Sequence, residues 1–210
     1  MRKIKEKILE KSLELFNEFG ASSVSMRQVA KELSMSHSNL LYHFKSKNEL
    51  ITALHDQLLG HAIELNKQVK PVEFDFVNLL YQSTVIGFSI VYEYRFLMLE
   101  LNAIMKENES LKENFVQLEK VRAAMYRLEI EKAVRLGILR KEVIENEYEQ
   151  LVHHIKIFSD SWIASAAIYD RLDKDQLIHK YALAMMYLFS PHMTEEGARD
   201  FSNWLSMRKN

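Results

Sequence analysis

The chain has 210 residues and no cysteine, which excludes disulfides, thiolate nucleophiles and cysteine-based zinc sites and favours a reducing compartment. Only 5 glycines and 2 prolines interrupt it, and runs of β-branched residues are missing, so we predict an all-α protein. The net charge of −1 argues against wholesale attraction to nucleic acid or to an anionic membrane, although residues 1–49 carry nine basic and six acidic groups, a local charge of +3.

The N-terminal part predicts three short helices. Apolar residues at spacings of three and four predict a first helix over residues 3–19, which Gly20 ends in a left-handed conformation. Ser25 and Gln28 form a capping-box pair that begins a second helix of about eight residues. After a tight break, Ser36 caps a third helix of about the same length.

Longer helices follow. Ser46 and Glu49 form another capping box, and we expect the helix that they begin to run over residues 47–69 until Pro71 ends it. The apolar periodicity then predicts helices at 74–92, 95–106, 110–136, 145–169, 175–188 and 195–207. We therefore predict a three-helix domain at 1–46 and a larger helical domain at 47–210, with helix 47–69 connecting the two.

The predicted helix 110–136 resembles a core helix. Its apolar residues recur at spacings of four or three: Leu111, Phe115, Leu118, Val121, Met125 and Leu128. Gly137 followed by apolar Ile138 predicts a Schellman-type end.

The segment SMSHSNLLYHF, residues 34–44, predicts a helix with two different sides. In a helical projection the apolar side contains Leu40, Leu41 and Phe44, and the polar side contains Ser38, Asn39, Tyr42 and His43, with His37 at the amino end. Two short helices, a tight turn and an exposed polar face are the parts of a helix-turn-helix, whose second helix enters the major groove. There Asn pairs with adenine and Ser with several base edges.

A resemblance to a known family covers about residues 4–55. The stretch ILEKSLELFNEFGASSVSMRQVAKELSMSHSNLLYHFKSKNELI resembles the DNA-binding domain of the TetR family of bacterial transcriptional regulators. The resemblance implies a homodimeric regulator, most often a repressor, that binds a palindromic double-stranded operator and is released by a small-molecule effector. The helical remainder would then be the ligand-binding and dimerisation domain.

The resemblance also implies DNA-contacting residues. His37, Ser38 and Asn39 would reach base edges, Ser25 or Arg27 would touch a base or the backbone, and Lys47 would grip a phosphate. The position of Lys47 in the first turn of a helix favours an anion independently.

Two positions depart from the family pattern. Ser34 stands where the turn usually has glycine, so a left-handed backbone there would cost about 1 kcal/mol. Leu41 stands where a tyrosine usually reaches a phosphate, so we expect Tyr42 or His43 to supply the nearest substitute. The complete DNA-binding prediction is Ser25, Arg27, Ser36, His37, Ser38, Asn39, Tyr42, His43 and Lys47.

Aromatic residues of the larger domain, with one histidine, are candidates to line a pocket for a small, largely apolar ligand. They are Phe88, Tyr92, Phe96, Tyr126, His154, Phe158 and Trp162. Packing in the core explains each aromatic residue equally well.

The segment YALAMMYLF, residues 181–189, is apolar nearly all round and predicts a dimer surface formed by helices between residues 145 and 189. The predicted dimer residues are Trp162, Ala166, Tyr181, Met185 and Leu188. A buried pair of helices within one subunit is the alternative.

Catalysis and metal binding are poorly supported. His153 and His154 point about 100° apart on a helix, and Asp160, His154 and Ser161 lack a nucleophile elbow. We expect no metal, no cofactor and no enzymatic activity. A helical-bundle ligand carrier or enzyme without DNA binding is the alternative, and a helix-turn-helix used for protein contact is a third possibility. No secretion signal or membrane-spanning segment is evident, so we expect a cytoplasmic protein.

Overall fold

The computed structural model describes residues 2–66 and 76–208. Apart from an isolated antiparallel bridge between Leu139 and Met193, the regular secondary structure in these ranges is helical, which confirms the all-α prediction. None of the described helices is long and apolar enough to cross a membrane.

The chain forms two compact units. The first comprises Met1–Leu65 and Ile90–Asn114, and the second comprises Asn66–Ser89 and Phe115–Asn210. The contacts therefore group the fourth helix and a later segment with the three N-terminal helices. The predicted boundary after residue 46, between a three-helix domain and a larger helical domain, stays a prediction.

The first four helices lie close to their predicted positions: α1 (Arg2–Phe19), α2 (Met26–Glu32), α3 (His37–His43) and α4 (Lys47–Asn66). The Ser25 hydroxyl accepts a hydrogen bond from the Gln28 amide at 3.3 Å, and the Gln28 side chain accepts one from the Ser25 amide at 2.7 Å, which completes the capping box. The Ser36 hydroxyl caps α3 by accepting from the Asn39 amide at 3.1 Å. The predicted last turn of the fourth helix, residues 67–69, lies outside the described residues.

The later helices are α5 (Phe76–Glu93), α6 (Arg95–Leu99), α7 (Leu101–Glu107), α8 (Glu109–Arg135), α9 (Glu147–Tyr169), α10 (Lys174–Tyr187) and α11 (Glu195–Met207). A single helix was expected over 95–106, but the backbone leaves helical geometry at Glu100, with φ −116° and ψ 21°. The Glu100 carboxylate accepts hydrogen bonds from the Ser22 amide and hydroxyl at 2.9 and 2.6 Å. The break thus accompanies a contact with the turn between α1 and α2. The predicted start near residue 74 lies outside the described residues.

The core of the first unit joins its N-terminal helices. Buried apolar side chains come from α1 to α4: Ile8, Phe16, Val29, Leu40, Leu50 and Leu54. Burying them from water is the main force that holds these short helices together, because isolated helices of this length are marginal in water.

The turn between α2 and α3 contains the expected strained serine. Ser34 has a φ of 51°, in the left-handed region. The Met35 amide donates to the Ala30 carbonyl at 2.9 Å and the Ser34 amide donates to the Lys31 carbonyl at 3.0 Å, which is a Schellman motif. The hydrogen bonds hold the serine in a conformation that glycine adopts more easily.

We expect Ser34→Gly to raise the free energy of unfolding by about 1 kcal/mol, because glycine removes the clash of a Cβ atom in the left-handed region. Urea denaturation followed by circular dichroism measures the change. Ser38→Gly is the matched control and should destabilise the protein by a similar amount, because it places glycine inside a helix. An unchanged or lower stability for Ser34→Gly would show that the serine is not strained.

The apolar line predicted along α8 is only partly buried. Leu111 is buried, whereas Val121, Met125 and Leu128 are 57%, 59% and 62% exposed, and the helix buries Ile130 instead. The spacings along the predicted line are four, three, three, four and three residues and average 3.4, so the line turns by about 100° between Leu111 and Leu128 on a straight helix. The line therefore winds from the buried side to the solvent side, and the prediction of a core helix is wrong for its second half.

α8 ends as predicted. Gly137 has a φ of 73°, and the Ile138 amide donates to the Ala133 carbonyl at 3.0 Å in a Schellman motif. α11 packs closely on this end, because a Cβ atom at Gly197 would lie 2.2 Å from the Ile138 carbonyl oxygen. Only glycine fits at Gly197 without movement of the backbone.

Glu147 organises the loop before α9. Arg140 donates two hydrogen bonds to its carboxylate, at 2.8 and 2.6 Å, and the Val143 amide donates a third at 3.0 Å. These hydrogen bonds, that of Arg140 above all, lower the pKa of Glu147 to about 2.

We expect Glu147→Gln to lower thermal stability at neutral pH and to lose this effect in acid. The ordinary pKa of the carboxyl is 4.5 and its pKa in the folded protein is about 2. The carboxylate therefore stabilises the fold fully above pH 4.5, and this contribution is lost as the pH falls towards 2. Melting temperatures of both proteins across this range measure the effect, with exposed Glu145→Gln as the control. A difference that stays constant down to pH 3 would contradict the assignment.

Candidate nucleic-acid interface

The two sides of α3 separate as the sequence predicts. Leu40 is completely buried and Phe44 is buried beside it, so they anchor the helix. Ser38 and Asn39 are exposed, and Tyr42 is 71% exposed. α3 thus offers solvent a hydroxyl and an amide from its first turn and a phenol from its last turn.

His43 is a correction to the predicted polar side. It is only 6% exposed, and its ring packs edge-on against the ring of Tyr42 with centroids 5.3 Å apart. The buried face of this short helix is wider than three apolar residues, because His43 lies between the anchors and the polar side in projection. His43 therefore does not lie on the exposed surface. His37, at the amino end, is half-exposed.

The hydroxyls of Ser25 and Ser36, both predicted to contact DNA, form hydrogen bonds within the protein. The Ser25 hydroxyl donates to the Gln28 side chain at 2.9 Å in addition to capping α2. The Ser36 hydroxyl caps α3. Both side chains are exposed beside α2 and α3, and so is Arg27 in the first turn of α2. Arg27 in the first turn and Lys31 in the last turn are the exposed cations of α2.

Lys47 is occupied by backbone carbonyls. Its ammonium donates to the carbonyls of Ala21 and Val24 at 2.6 and 3.2 Å, and more weakly to that of Ser22 at 3.4 Å. These contacts hold the turn between α1 and α2. The neighbouring Lys45 is exposed between α3 and α4 and was missed in the sequence, where only its charge was counted.

We expect Lys47→Ala to lower the free energy of unfolding by about 1–3 kcal/mol, because the half-buried carbonyls of the turn lose a charged donor. Lys45→Ala, the matched control, should leave stability within about 0.5 kcal/mol of the wild type. Urea denaturation of the two variants distinguishes the roles. Equal stability of the two variants would show that the Lys47 hydrogen bonds do not hold the turn.

Residues 90–114 are fastened to α1 by Asn17. Its side-chain amide donates to the Glu93 carbonyl at 2.7 Å and its oxygen accepts from the Phe96 amide at 3.1 Å. The Phe96 ring packs on Phe16 with centroids 5.3 Å apart. Phe96, predicted to line a ligand pocket, therefore belongs to the core of the first unit. Tyr92 lies in the same unit, half-buried.

The same segment is fastened to α4. Asn48 donates to the Glu107 carbonyl at 2.6 Å, and buried Asn108 donates to Thr52 at 3.0 Å. The Asn108 oxygen also caps α8 by accepting from the Leu111 amide at 3.1 Å. Together with Glu100 and Asn17, these hydrogen bonds tie residues 93–111 to α1, to the turn after it and to α4.

Three predicted ligand residues cluster in the second unit. The Phe88 ring stacks on Trp162 with centroids 4.7 Å apart, and Phe158 lies 6.4 Å from Phe88. Tyr181, predicted for the dimer surface, completes the cluster at 5.3 Å from Trp162. His154, by contrast, is exposed and lies outside this cluster.

A charged group adjoins these rings along α9. Arg122 lies 3.5 Å from Asp160 and 3.6 Å from Glu119, and Tyr126 is half-buried one turn further along α8. Asp160 thus contacts an arginine, and its carboxylate is not directed to His154 as a catalytic triad requires. Within the described ranges no three histidine or acidic side chains are grouped as metal ligands.

The predicted dimer residues are mostly interior. Trp162, Ala166 and Met185 are buried, and the Tyr181 hydroxyl donates to Asp170 at 2.9 Å. Leu188 is half-buried. In this structure these residues pack within one subunit, which is the alternative to a dimer surface. The apolar side chains that α9 and α10 expose are others: Ile157, Ile168, Tyr169 and Tyr187.

Two family models match the chain. The model described as bacterial regulatory proteins, tetR family, matches residues 8–54, and the TetR model described as bacterial transcriptional repressor matches residues 57–201. The first covers the helix-turn-helix and the second covers more than half of the chain.

Two relatives support the match. An uncharacterized HTH-type transcriptional regulator in the dhlA 5′ region of Xanthobacter autotrophicus is 44% identical over 67 residues, which is 32% of this chain and 33% of the relative. The uncharacterized HTH-type transcriptional regulator YerO of Bacillus subtilis is 25% identical over 189 residues, 82% of this chain and 64% of the relative. The chain thus spans less than two thirds of either relative.

Solved structures share the fold. A TetR-family transcriptional regulator from Marinobacter aquaeolei VT8 has a TM-score of 0.83 at 19% identity, covering 98% of this chain and 97% of its own. A transcriptional regulator from Saccharomonospora viridis, solved with choline, has a TM-score of 0.74 at 14% identity, covering 89% and 97%. At these identities the likeness establishes the fold alone. From the family matches and the two-sided α3 helix, the chain belongs to the TetR family of bacterial transcriptional regulators.

Proposed function

We propose that the protein is a cytoplasmic repressor that binds a palindromic operator as a homodimer and leaves it when a small-molecule ligand binds. The exposed polar side of α3 is the observation that carries this proposal. Its family consists of transcriptional regulators and not enzymes, so the alternative of a carrier or enzyme without DNA binding is set aside.

The DNA contacts divide by chemistry. His37, Ser38 and Asn39 hydrogen-bond to base edges in the major groove, because they lie at the amino end of α3. Tyr42 and Lys45 contact phosphates. They replace the phosphate contact of the tyrosine that the family usually has at the position of Leu41. Arg27 contacts the backbone or a base from the start of α2, and the hydroxyls of its neighbours Ser25 and Ser36 mainly cap the helices.

The second subunit binds through α9 and α10. Ile157 and Ile168 lie eleven residues apart, so both point to the same side of α9, and both are exposed. Tyr187 offers a further exposed apolar surface on α10. A two-fold pair formed there would present two α3 helices about 34 Å apart, which requires a palindromic site.

The ligand binds in the second unit, beside the aromatic cluster of Phe88, Phe158, Trp162 and Tyr181. These rings provide apolar surface, and the Tyr181 hydroxyl and the Arg122 group add polar contacts. The structural neighbour that holds choline supports a small-molecule site in this fold.

Release follows from the hydrogen bonds of residues 93–111. α5 and α8 each contribute residues to both units, so the chain carries a displacement in the second unit directly into residues 90–114. Asn17, Glu100 and Asn108 tie this segment to α1, to the turn after it and to α4. A ligand that shifts α5 or α8 therefore tilts α4 and changes the spacing of the two α3 helices.

The test begins with selection of bound duplexes from a random library. We expect a two-fold symmetric consensus, bound at least 1,000-fold more tightly than random DNA at physiological salt. Fluorescence anisotropy with this duplex then measures release by candidate metabolites. A protein without sequence preference would overturn the proposal, and equal operator affinity with and without a saturating ligand would overturn release.

A further inference from the structure

The exposed part of α8 carries an apolar stripe that the proposed function does not use. We define the α8 stripe as Val121, Ala124, Met125 and Leu128, all of which are exposed. The opposite side of the helix is buried in the second unit through Ile130 and Ala133. Three of the four stripe residues are large and more than half exposed, a surface that single soluble subunits rarely leave uncovered.

Charged residues flank the stripe in a particular order. At about 100° per residue, Lys120, Arg127 and Glu131 fall on one flank, at about −100°, −120° and −80° from Val121, and Arg127 pairs there with Glu149 of its own chain. Arg122 and Glu129 fall on the other flank, at about +100° and +80°, and Arg122 is half-buried against Glu119 and Asp160 of its own chain. On both flanks the cation precedes the anion along the helix.

This order decides how a second copy fits. In an antiparallel two-fold pair, each flank faces the same flank of the other helix with its direction reversed. Lys120 then lies within one turn of Glu131 of the other copy. In a parallel pair, each flank faces the opposite flank in the same direction, so Glu131 of one copy meets Glu129 of the other. Like charges at these positions repel, and the antiparallel arrangement is favoured.

The apolar residues fit the same arrangement. With the two-fold axis near Met125, the methionines of the two copies meet at the centre, and Val121 of each copy lies opposite Leu128 of the other. A spacing of four and three residues between these positions is that of helices packed knobs-into-holes. The stripe and flanks of one copy are therefore complementary to the same stripe and flanks of a second copy.

We propose that the α8 stripe is a second self-association surface, on which α8 of another copy packs antiparallel about Met125. It is separate from the proposed dimer surface on α9 and α10. Two different two-fold surfaces on one chain join dimers to one another, so the protein associates beyond the dimer and brings two operator-binding pairs together.

Cross-linking through introduced cysteines tests this pairing. The chain has no native cysteine, so the cross-linker reacts only with the introduced thiol. Met125→Cys in the full chain, treated with a short bismaleimide, should give a covalently linked pair of chains in high yield. Val116→Cys is the control, because Val116 is also exposed but lies on another side of α8. Equal yields from the two variants would overturn the proposal.

A mixture determines the direction of the helices. Val121→Cys and Leu128→Cys, on chains of different tagged mass, should cross-link mainly to each other. Cross-links mainly between two Val121→Cys chains would indicate a parallel pair and overturn the antiparallel proposal.

Charge reversal provides an independent measurement. Lys120→Glu and Glu131→Lys should each weaken association beyond the dimer by at least tenfold in analytical ultracentrifugation, and the double variant should restore it. The pairing would be contradicted if the single variants associated like the wild type, or if the double variant associated as weakly as the single variants. Operator affinity per dimer should stay unchanged, so failure here is distinguishable from failure of the DNA-binding proposal.

Discussion

Leu40→Ala lowers the free energy of unfolding of the protein by about 2–5 kcal/mol, the range for truncating a buried leucine. Leu40 is completely buried and is the main apolar contact of a seven-residue helix. A helix this short is not stable alone, so α3 loses its position when the anchor is cut. Urea denaturation followed by circular dichroism measures the loss.

Tyr42→Ala is the matched control from the same helix. Tyr42 is exposed, so its truncation should change stability by no more than about 0.5 kcal/mol while weakening DNA binding. If Leu40→Ala and Tyr42→Ala cost the same stability, the division of α3 into an anchoring and a reading side would be wrong.

Asn39→Ala weakens binding to the selected operator by about 10-fold to 100-fold for each half-site, equivalent to about 1–3 kcal/mol for each of the two bidentate contacts that the homodimer loses. Asn39 is exposed on α3 and its backbone amide is already used by the cap. Its side chain is therefore free to face a base without cost to the helix. Fluorescence anisotropy with operator and random duplexes measures the change, and affinity for random DNA should stay nearly constant.

Lys45→Ala is the contrasting variant. It should weaken operator and random DNA alike and reduce the slope of log affinity against log salt by about 2, as expected for one lost phosphate contact in each of the two subunits. An Asn39→Ala variant that behaved in the same way would have lost a phosphate contact, and the assignment to a base edge would fail.

Local patterns predicted local structure well. The capping box of Ser25 and Gln28, the cap at Ser36 and the strained Ser34 are all found, because each depends on residues fewer than six positions apart. The Gly137 stop of α8 is found for the same reason.

Features that depend on distant residues were not predicted. The helix over 95–106 breaks at Glu100, whose partner Ser22 lies 78 positions earlier. The ammonium of Lys47 binds carbonyls 23 to 26 positions away. The periodicity of one segment does not reveal such contacts. Lys47 was therefore predicted to contact a phosphate, although its ammonium already binds backbone carbonyls.

Burial was predicted less well than helix position. His43 has a polar side chain but lies inside, and Val121, Met125 and Leu128 have apolar side chains but lie outside. A projection ranks the sides of a helix and does not say how wide the buried side is or whether a second apolar surface exists. Trp162 is buried against Phe88 in its own subunit for a related reason, since apolarity does not distinguish a core from an interface.

We propose that the exposed side of α3 reads bases, and parallel selections with the wild type and Asn39→Ala test this role most directly. Both proteins are used to select duplexes from one random library, and the two consensus sequences are compared position by position. We predict that the variant loses preference at one symmetric position in each half-site and keeps the remaining positions. Identical consensus sequences from the two proteins would contradict the claim.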